Sequence, residues 1–230
     1  MAELFDQYRS SYNRTVDDSI SFSGLKHHFF LQAKVEPLAG LIARRGIAGN
    51  DGTVRALDVG CGVGALHPYV RPLFPALSGC DISTESIARA REENPGVAYT
   101  AYSGPALPYA DGAFDLAFAV CVAHHVPPEH WPGFFAEMRR VVRPGGAVAV
   151  IEHNPLNPLT RLAVLRCPFD EDAVLISRRK AGQLFQAAGL SEIEGEHFLL
   201  FPFANSFARK VEGWFSGLPL GAQYICSGRA

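Results

Sequence analysis

The residues best suited to chemistry stand in one octapeptide, Leu57-Asp58-Val59-Gly60-Cys61-Gly62-Val63-Gly64. A short apolar run (Ala56, Leu57, Val59) ends there in three glycines at alternate positions. Glycines let a chain turn sharply and let a ligand come close where a side chain would clash. Strand, glycine turn and helix therefore suit a nucleotide-like ligand. Asp58 sets a carboxylate at the strand end, which repels a pyrophosphate and welcomes ammonium and sulfonium charge. Asp81 follows 17 residues after Gly64, at the end of the next strand-like run. A carboxylate there can accept hydrogen bonds from both hydroxyls of a ribose.

A second group of reactive residues follows two later apolar runs: His124, His125, Glu152, His153 and Asn154. In a parallel sheet those positions open on the crevice at the carboxyl ends of the strands. Histidine, with a reference pKa of about 6.5, suits proton transfer near neutrality. His153 and His125 are thus candidate general bases, each with packing as the plainer alternative. His27-His28, a polar pair at a helix start, reads as solvent-facing. No histidine or acidic cluster stands at metal-ligand spacing, so no metal site is expected. The five cysteines (Cys61, Cys80, Cys121, Cys167, Cys226) form no CxxC pair and are odd in number. That argues against a disulfide framework or structural zinc and favours a reducing compartment.

These residues need elements to hold them. Strand-like and helix-like segments alternate from about Val54 onward, which predicts an α/β doubly wound, mostly parallel sheet with helices on both faces. The predicted strands are Val54–Val59, Leu77–Ile82, Val97–Tyr102, Phe114–Val122, Ala147–Ile151, Ile193–Phe201 and Ala222–Cys226. Ser83 is a plausible N-cap for the helix that Asn94-Pro95-Gly96 ends. Pro127-Pro128 opens a helix whose Trp131, Phe134, Phe135, Met138, Val141 and Val142 share an apolar face. Arg143-Pro144-Gly145-Gly146 reads as a tight turn. A long connection from Asn154 to about Leu175, with two Asn-Pro pairs, has the length of a segment that covers a site. A helix from about Arg179 to Ala188 and a helical piece around Phe207 to Phe215 complete the pattern. Upstream, the spacing of Phe30, Leu31, Val35, Leu38 and Ile42 predicts one helix over His27–Arg45, stopped by Gly46. Residues 1–50 read as an N-terminal helical cap or lid, and residues 51–230 as the ligand-binding domain.

Composition sets the outer bounds. The chain has 230 residues, 48% hydrophobic and 19% charged, which fits a folded α/β domain and excludes a disordered one. The net charge of −2 exerts no pull on nucleic acid or an anionic membrane. The basic pairs Arg44-Arg45 and Arg139-Arg140 and the run Arg178-Arg179-Lys180 fall at predicted helix ends, where solvated or helix-end charge is expected. No apolar run is long enough to span a bilayer, and the first residues lack a signal-peptide core. A cytoplasmic location is expected. Oligomeric state is left open by the residues.

The ensemble resembles the class I S-adenosylmethionine-dependent methyltransferases. LDVGCGVG is similar to that family's first motif and GCDIS (Gly79 to Ser83) to its acidic second motif. LPYADGAFDLAF (Leu107 to Phe118) is similar to the segment entering its fourth strand, and RPGGAVAVIEH (Arg143 to His153) to its glycine turn and fifth strand. The resemblance covers roughly Val54 to Leu190 and implies a seven-stranded Rossmann-like sheet that binds S-adenosyl-L-methionine and releases S-adenosyl-L-homocysteine. It implies that Asp58, Gly60, Cys61, Gly62 and Gly64 surround the methionine moiety. Asp81 would bind the ribose, Ile82 would pack on the adenine, Ser103 and Gly104 would lie at its edge, and Cys121 would contact the methionine end. Many relatives have Asp where Ser103 stands, so its hydrogen bond to the adenine amine is a weaker one. Tyr8 and Tyr12 would form part of a lid. Phe22, Phe29, Phe30, Phe198, Phe201, Phe203, Phe207, Trp214 and Phe215 read mainly as core, with some lining a pocket for an apolar or aromatic small molecule.

Three functions are compatible with the residues. The first is methyl transfer to a small-molecule acceptor, with neither nucleic acid nor membrane as partner. A nicotinamide-dependent oxidoreductase is the alternative, but GxGxG behind Asp58 departs from the dinucleotide pattern GxGxxG. A binding module that kept the fold without turnover is the third. Nucleotide-amino methyltransferases are set aside, because Cys121-Val122-Ala123-His124-His125 stands where their Asn/Asp-Pro-Pro-aromatic motif would.

Overall fold

A computed structural model describes residues 12–49, 51–200 and 218–230. Seven strands form one sheet: β1 (Arg55–Val59), β2 (Ala76–Asp81), β3 (Ala98–Ala101), β4 (Phe114–Val120), β5 (Val142–His153), β6 (Ser191–Phe198) and β7 (Gln223–Arg229). Their spatial order is β3-β2-β1-β4-β5-β7-β6. Strands β1 to β5 pair in parallel. β7 runs antiparallel to both β5 and β6. The expected mostly parallel, doubly wound sheet is the one observed.

Side-chain alternation divides the core into two layers. Leu57, Val59, Ala117, Ala119, Val148 and Val150 face one side, where helices α6 (Trp131–Arg140) and α8 (Arg178–Ala187) lay down Phe135, Met138, Leu184 and Phe185. Ala56, Leu116, Phe118, Ala149 and Ile151 face the other, against Leu38 and Leu41 of α3 (Val35–Arg45), Val70 of α4 (His67–Val70) and Phe74. A strand with both faces covered must be apolar throughout, and β4 is buried at every position but its last. Helix α5 (Thr84–Glu93) packs Ile87 and Ala90 on Tyr99 of β3.

The single helix expected over His27–Arg45 is two helices, α2 (His27–Ala33) and α3. Pro37 explains the break. It has no N–H for the Ala33 carbonyl and its ring crowds that carbonyl, whereas a proline in a first turn costs little. The junction residue, Lys34, is thereby turned inward and is only 4% exposed. A short helix, α1 (Tyr12–Ser19), precedes these. The connection after β5 also holds a helix not foreseen, α7 (Pro158–Arg166). Its signal was legible, with Asn157 accepting the Thr160 N–H as N-cap and Pro158 in the first turn.

The basic pairs correct a second expectation. Arg45 is 6% exposed, and its guanidinium donates to the Glu192 carbonyl and to Ser227, tying the end of α3 to β6 and β7. Arg140 binds Glu137, Asp111 and two carbonyls rather than water alone. The predicted turn at Arg143-Pro144-Gly145-Gly146 falls inside β5 as a bulge opposite Asp115, where the β4–β5 register shifts. No helix among the described residues is long and apolar enough to cross a membrane. The expected helical piece at Phe207 to Phe215 lies outside the described residues, as do Tyr8, Phe201, Phe203 and the side chain of Tyr12.

Candidate active site

The glycine turn leaves β1 with φ of +76° at Gly60, +52° at Gly62 and +71° at Gly64. A Cβ on Gly60 would stand 2.6 Å from Val122, so no other residue fits where the turn passes the end of β4. A Cβ on Gly62 would meet nothing within 4 Å, so open space lies above that residue. Asp81 faces the turn from the end of β2. One of its carboxylate oxygens accepts the Gly62 N–H at 2.8 Å and the other the Ser83 N–H at 2.9 Å. Burial raises its pKa, and these two amides pull it back. Ile82, next in sequence, is an apolar side chain left 41% exposed. Ser103 and Gly104 are exposed beyond β3, and Gly104 has φ +96°.

Asp58 stands near the end of β1, as its place in the sequence predicts. It is 3% exposed and pairs through Oδ2 with Nε2 of buried His67 at 3.0 Å, while Nδ1 of His67 meets the Tyr99 hydroxyl. Its Oδ1 is buried with no partner among the described residues. A carboxylate oxygen in that condition calls for an outside donor, water or ligand. Sequence reading missed His67 and Tyr99 because neither stands in the glycine motif.

Cys121 turns the end of β4 with φ +56°, a left-handed conformation unusual for a residue with a side chain. Glu152 stabilises the three residues after it. Its Oε1 accepts the Val122 and Ala123 N–H groups at 3.0 and 2.7 Å, and its Oε2 holds Nδ1 of His124 at 2.6 Å. Trp131 adds a bond from its indole N–H to the Ala123 carbonyl at 2.8 Å. The Cys121 thiol accepts from the Gln223 amide at 3.5 Å, and burial pushes its pKa up to about 11.

The connection after β5 closes over this turn. The Val174 N–H donates to the His124 carbonyl at 2.9 Å, and Asp170 places Oδ1 3.4 Å from Nε2 of both His124 and His125. The His153 ring lies 5.1 Å from that of His124. Charge is divided unevenly among the three rings. Burial opposes a charge on His124, but Glu152 and Asp170 outweigh it and carry its pKa well above the ordinary value. Burial, reinforced by the charge on His124, lowers His125 and His153 to about 4 each. Both are neutral proton acceptors at neutral pH. Lys34 adds its side chain to the same neighbourhood, its ammonium donating to the Phe30 carbonyl at 3.1 Å. Burial lowers its pKa against the pull of Cys121 and Glu152.

The structure therefore gathers His124, His125, Glu152 and His153. Asn154 is instead spent on architecture, its amide donating to the Pro219 and Gly221 carbonyls. His27 is half-buried and His28 exposed, both beside a cavity of about 350 Å³ that also touches Asp17, Lys26, Pro68 and, at the end of the glycine turn, Gly64 and Ala65. Asp170 went unnoticed in the sequence, because only the fold of the connection brings it back to residues 45 positions earlier. For the same reason no metal-ligand spacing was readable in the sequence. His124, His125 and Asp170 offer donor atoms that all lie within 4.8 Å of one another.

Residues 57–150 match the family model described as a methyltransferase domain. That stretch is similar to the cofactor-binding part of the class I S-adenosylmethionine-dependent methyltransferases. An uncharacterized methyltransferase of Synechocystis sp. is 28% identical over 143 residues, 60% of this chain and 68% of that protein. The phthiotriol/phenolphthiotriol dimycocerosates methyltransferase of Mycobacterium leprae is 35% identical over 107 residues, covering 45% of this chain and 39% of that one. The chain thus spans about two-thirds of the first relative and about two-fifths of the second. In fold it resembles the crystal structure of a SAM-dependent methyltransferase, possible histamine N-methyltransferase, from Thermotoga maritima. That likeness has a TM-score of 0.68 at 20% identity and covers 100% of this chain and 99% of the other. S-adenosylmethionine is the cofactor of the family. The methyltransferase turn here fits such a ligand on its own observations: open space over Gly62, an acid held against that turn, an exposed apolar residue beside it and an unpartnered carboxylate oxygen on Asp58.

Proposed function

We propose that the chain transfers a methyl group from S-adenosylmethionine to a small-molecule acceptor held before the carboxyl ends of β1, β4 and β5. The observation that carries this reading is the hydrogen bond between Asp81 and the Gly62 N–H beneath open space. It fixes the ribose acid against the glycine bend. In this reading Gly60, Cys61, Gly62 and Gly64 flank the methionine part, with Asp58 and Cys121 at its charged end. Asp81 takes the ribose, and Ile82, Ser103 and Gly104 take the adenine. When bound, the cofactor supplies an electrophilic methyl group on sulfur.

The chain's own residues do the rest. Aligning an acceptor before the strand ends and excluding water is the larger part of the task for an already activated methyl. His153, with His125 beside it, is a neutral imidazole able to take a proton from the acceptor onto a ring nitrogen. Residues 1–50 act as a cap, and Lys34 at the α2–α3 junction brings a buried cation to the acceptor side. The phenolic compound in the name of the Mycobacterium relative agrees with an apolar or aromatic acceptor. We place the enzyme in the cytoplasm.

Isothermal titration with S-adenosylmethionine and S-adenosylhomocysteine tests this. The expected result is micromolar binding of both, lost in Asp81→Ala and Gly62→Arg and weakened in Asp58→Ala. Binding of neither ligand to the folded protein would overturn it. Fluorescence enhancement of reduced nicotinamide would point instead to the oxidoreductase.

A further inference from the structure

The geometry points to a site for one divalent first-row transition-metal ion, held by Nε2 of His124, Nε2 of His125 and Oδ1 of Asp170. Three features of the cluster carry this. First, the donor atoms converge, with Asp170 Oδ1 3.4 Å from each imidazole nitrogen and all three within 4.8 Å of one another. Nitrogen and oxygen ligands about 2.1 Å from a tetrahedral ion stand about 3.4 Å apart, the edge of that tetrahedron. A charge-assisted hydrogen bond would instead draw them to about 2.8 Å. The same structure makes such a bond where one is intended, between His124 and Glu152 at 2.6 Å.

Second, that bond has a consequence for the ligand atom. Glu152 accepts from Nδ1 of His124 and so leaves Nε2 as the nitrogen turned to Asp170; a metal ion binding there displaces the Nε2 proton to solvent. A carboxylate on the far nitrogen is the usual partner of a metal-bound imidazole, fixing its ring and raising its basicity. Glu152 is itself immobilised by the Val122 and Ala123 amides, so the ring has little freedom to turn away.

Third, the ligands come from separate parts of the chain. His124 and His125 follow β4, and Asp170 lies in the segment between β5 and α8 whose Val174 is bonded to His124. An ion would cross-link the covering segment to the strand end. Two imidazoles and one carboxylate suit Zn²⁺, Co²⁺ or Fe²⁺ better than Ca²⁺ or Mg²⁺, which prefer oxygen throughout. Three protein ligands also leave a position open. If the methyl-transfer reading holds, that position can take an acceptor oxygen and stabilise its anion, leaving His153 as proton acceptor. The metal site itself does not depend on that reading.

The test uses the full chain, tag removed and stripped with a chelator, titrated with Co²⁺ and followed by visible absorption, with Zn²⁺ titrated by calorimetry. The expected outcome is one ion per chain, with d–d bands of a four- or five-coordinate site. Asp170→Asn and His125→Ala, each checked for folding by circular dichroism, should weaken binding more than about tenfold. His130→Ala, at an exposed histidine outside the cluster, should not change it. No stoichiometric binding by the folded wild type would overturn the site, as would binding that survives both substitutions. These readouts use neither S-adenosylmethionine nor turnover. A chain that binds the ion but not the cofactor refutes the proposed function alone, and the reverse refutes the metal site alone.

Discussion

At the scale of single residues, Glu152 does most to hold the crevice in shape. It is fully buried and answers two backbone amides and an imidazole. Burial resists its charge, but His124 and the Ala123 amide outweigh that and hold its carboxyl below the usual range. Removing one partner of a buried charged network leaves the others uncompensated. Glu152→Ala should therefore destabilise the fold by about 3–5 kcal/mol. Glu152→Gln, which keeps the shape and one acceptor, should cost less. Urea unfolding monitored by tryptophan fluorescence measures both, and equal losses would contradict the account. The effect stems from the strained turn at Cys121. The two amides clamped by Glu152 come directly after this positive-φ residue, so the clamp and the strain belong to one arrangement.

At the scale of elements, the sequence showed types and order better than connections. Short apolar runs and turn signals located all seven strands to within a few residues, except that β5 begins earlier and β7 ends later than expected. The N-cap at Ser83 was readable and is formed, its hydroxyl accepting the Ser86 N–H at 3.0 Å. Ser83→Ala should cost about 1 kcal/mol and loosen the start of α5, where Asp81 also anchors. A fall in urea midpoint accompanied by weaker cofactor binding would bear this out, and an unchanged midpoint would not. What the sequence hid is long-range. Pro37 was in plain view, but its consequence, Lys34 turned inward, depends on what α2 packs against. Asp170 and His67 have no local signature, because their partners are brought to them only by the crossing of the chain over the sheet.

At the scale of the whole molecule, titration should shape stability into a dome. His27, His125 and His153 are each lowered to about 4, chiefly by burial. Between the ordinary value of about 6.5 and about 4 the unfolded chain binds more protons, so stability falls as the medium is acidified through that window. His124 has the opposite sign. Its pKa is raised, so its contribution is complete below about 6.5 and is lost as pH climbs through its folded value. Asp115 acts lower still. Burial raises its pKa, but Arg143 and Arg55 outweigh this and hold it below the ordinary carboxylate value, so its contribution is lost only in stronger acid. Thermal unfolding of chelator-treated protein from pH 4 to 9 should peak near pH 6 to 7. Replacing His125 by Gln should flatten the acidic side. A melting temperature that rises steadily with acidification would refute the assignment.

The insertion of β7 between β5 and β6 bears on how the molecule comes into being. Until β7 is in place, the outer rim of β5 has no neighbour and β6 has nothing to join. Each waits for residues 223–229, separated from β6 by more than twenty positions and from β5 by about seventy. Without β7 those two rims stay bare and open to wrong pairing, so β7 is the strand that locks the sheet.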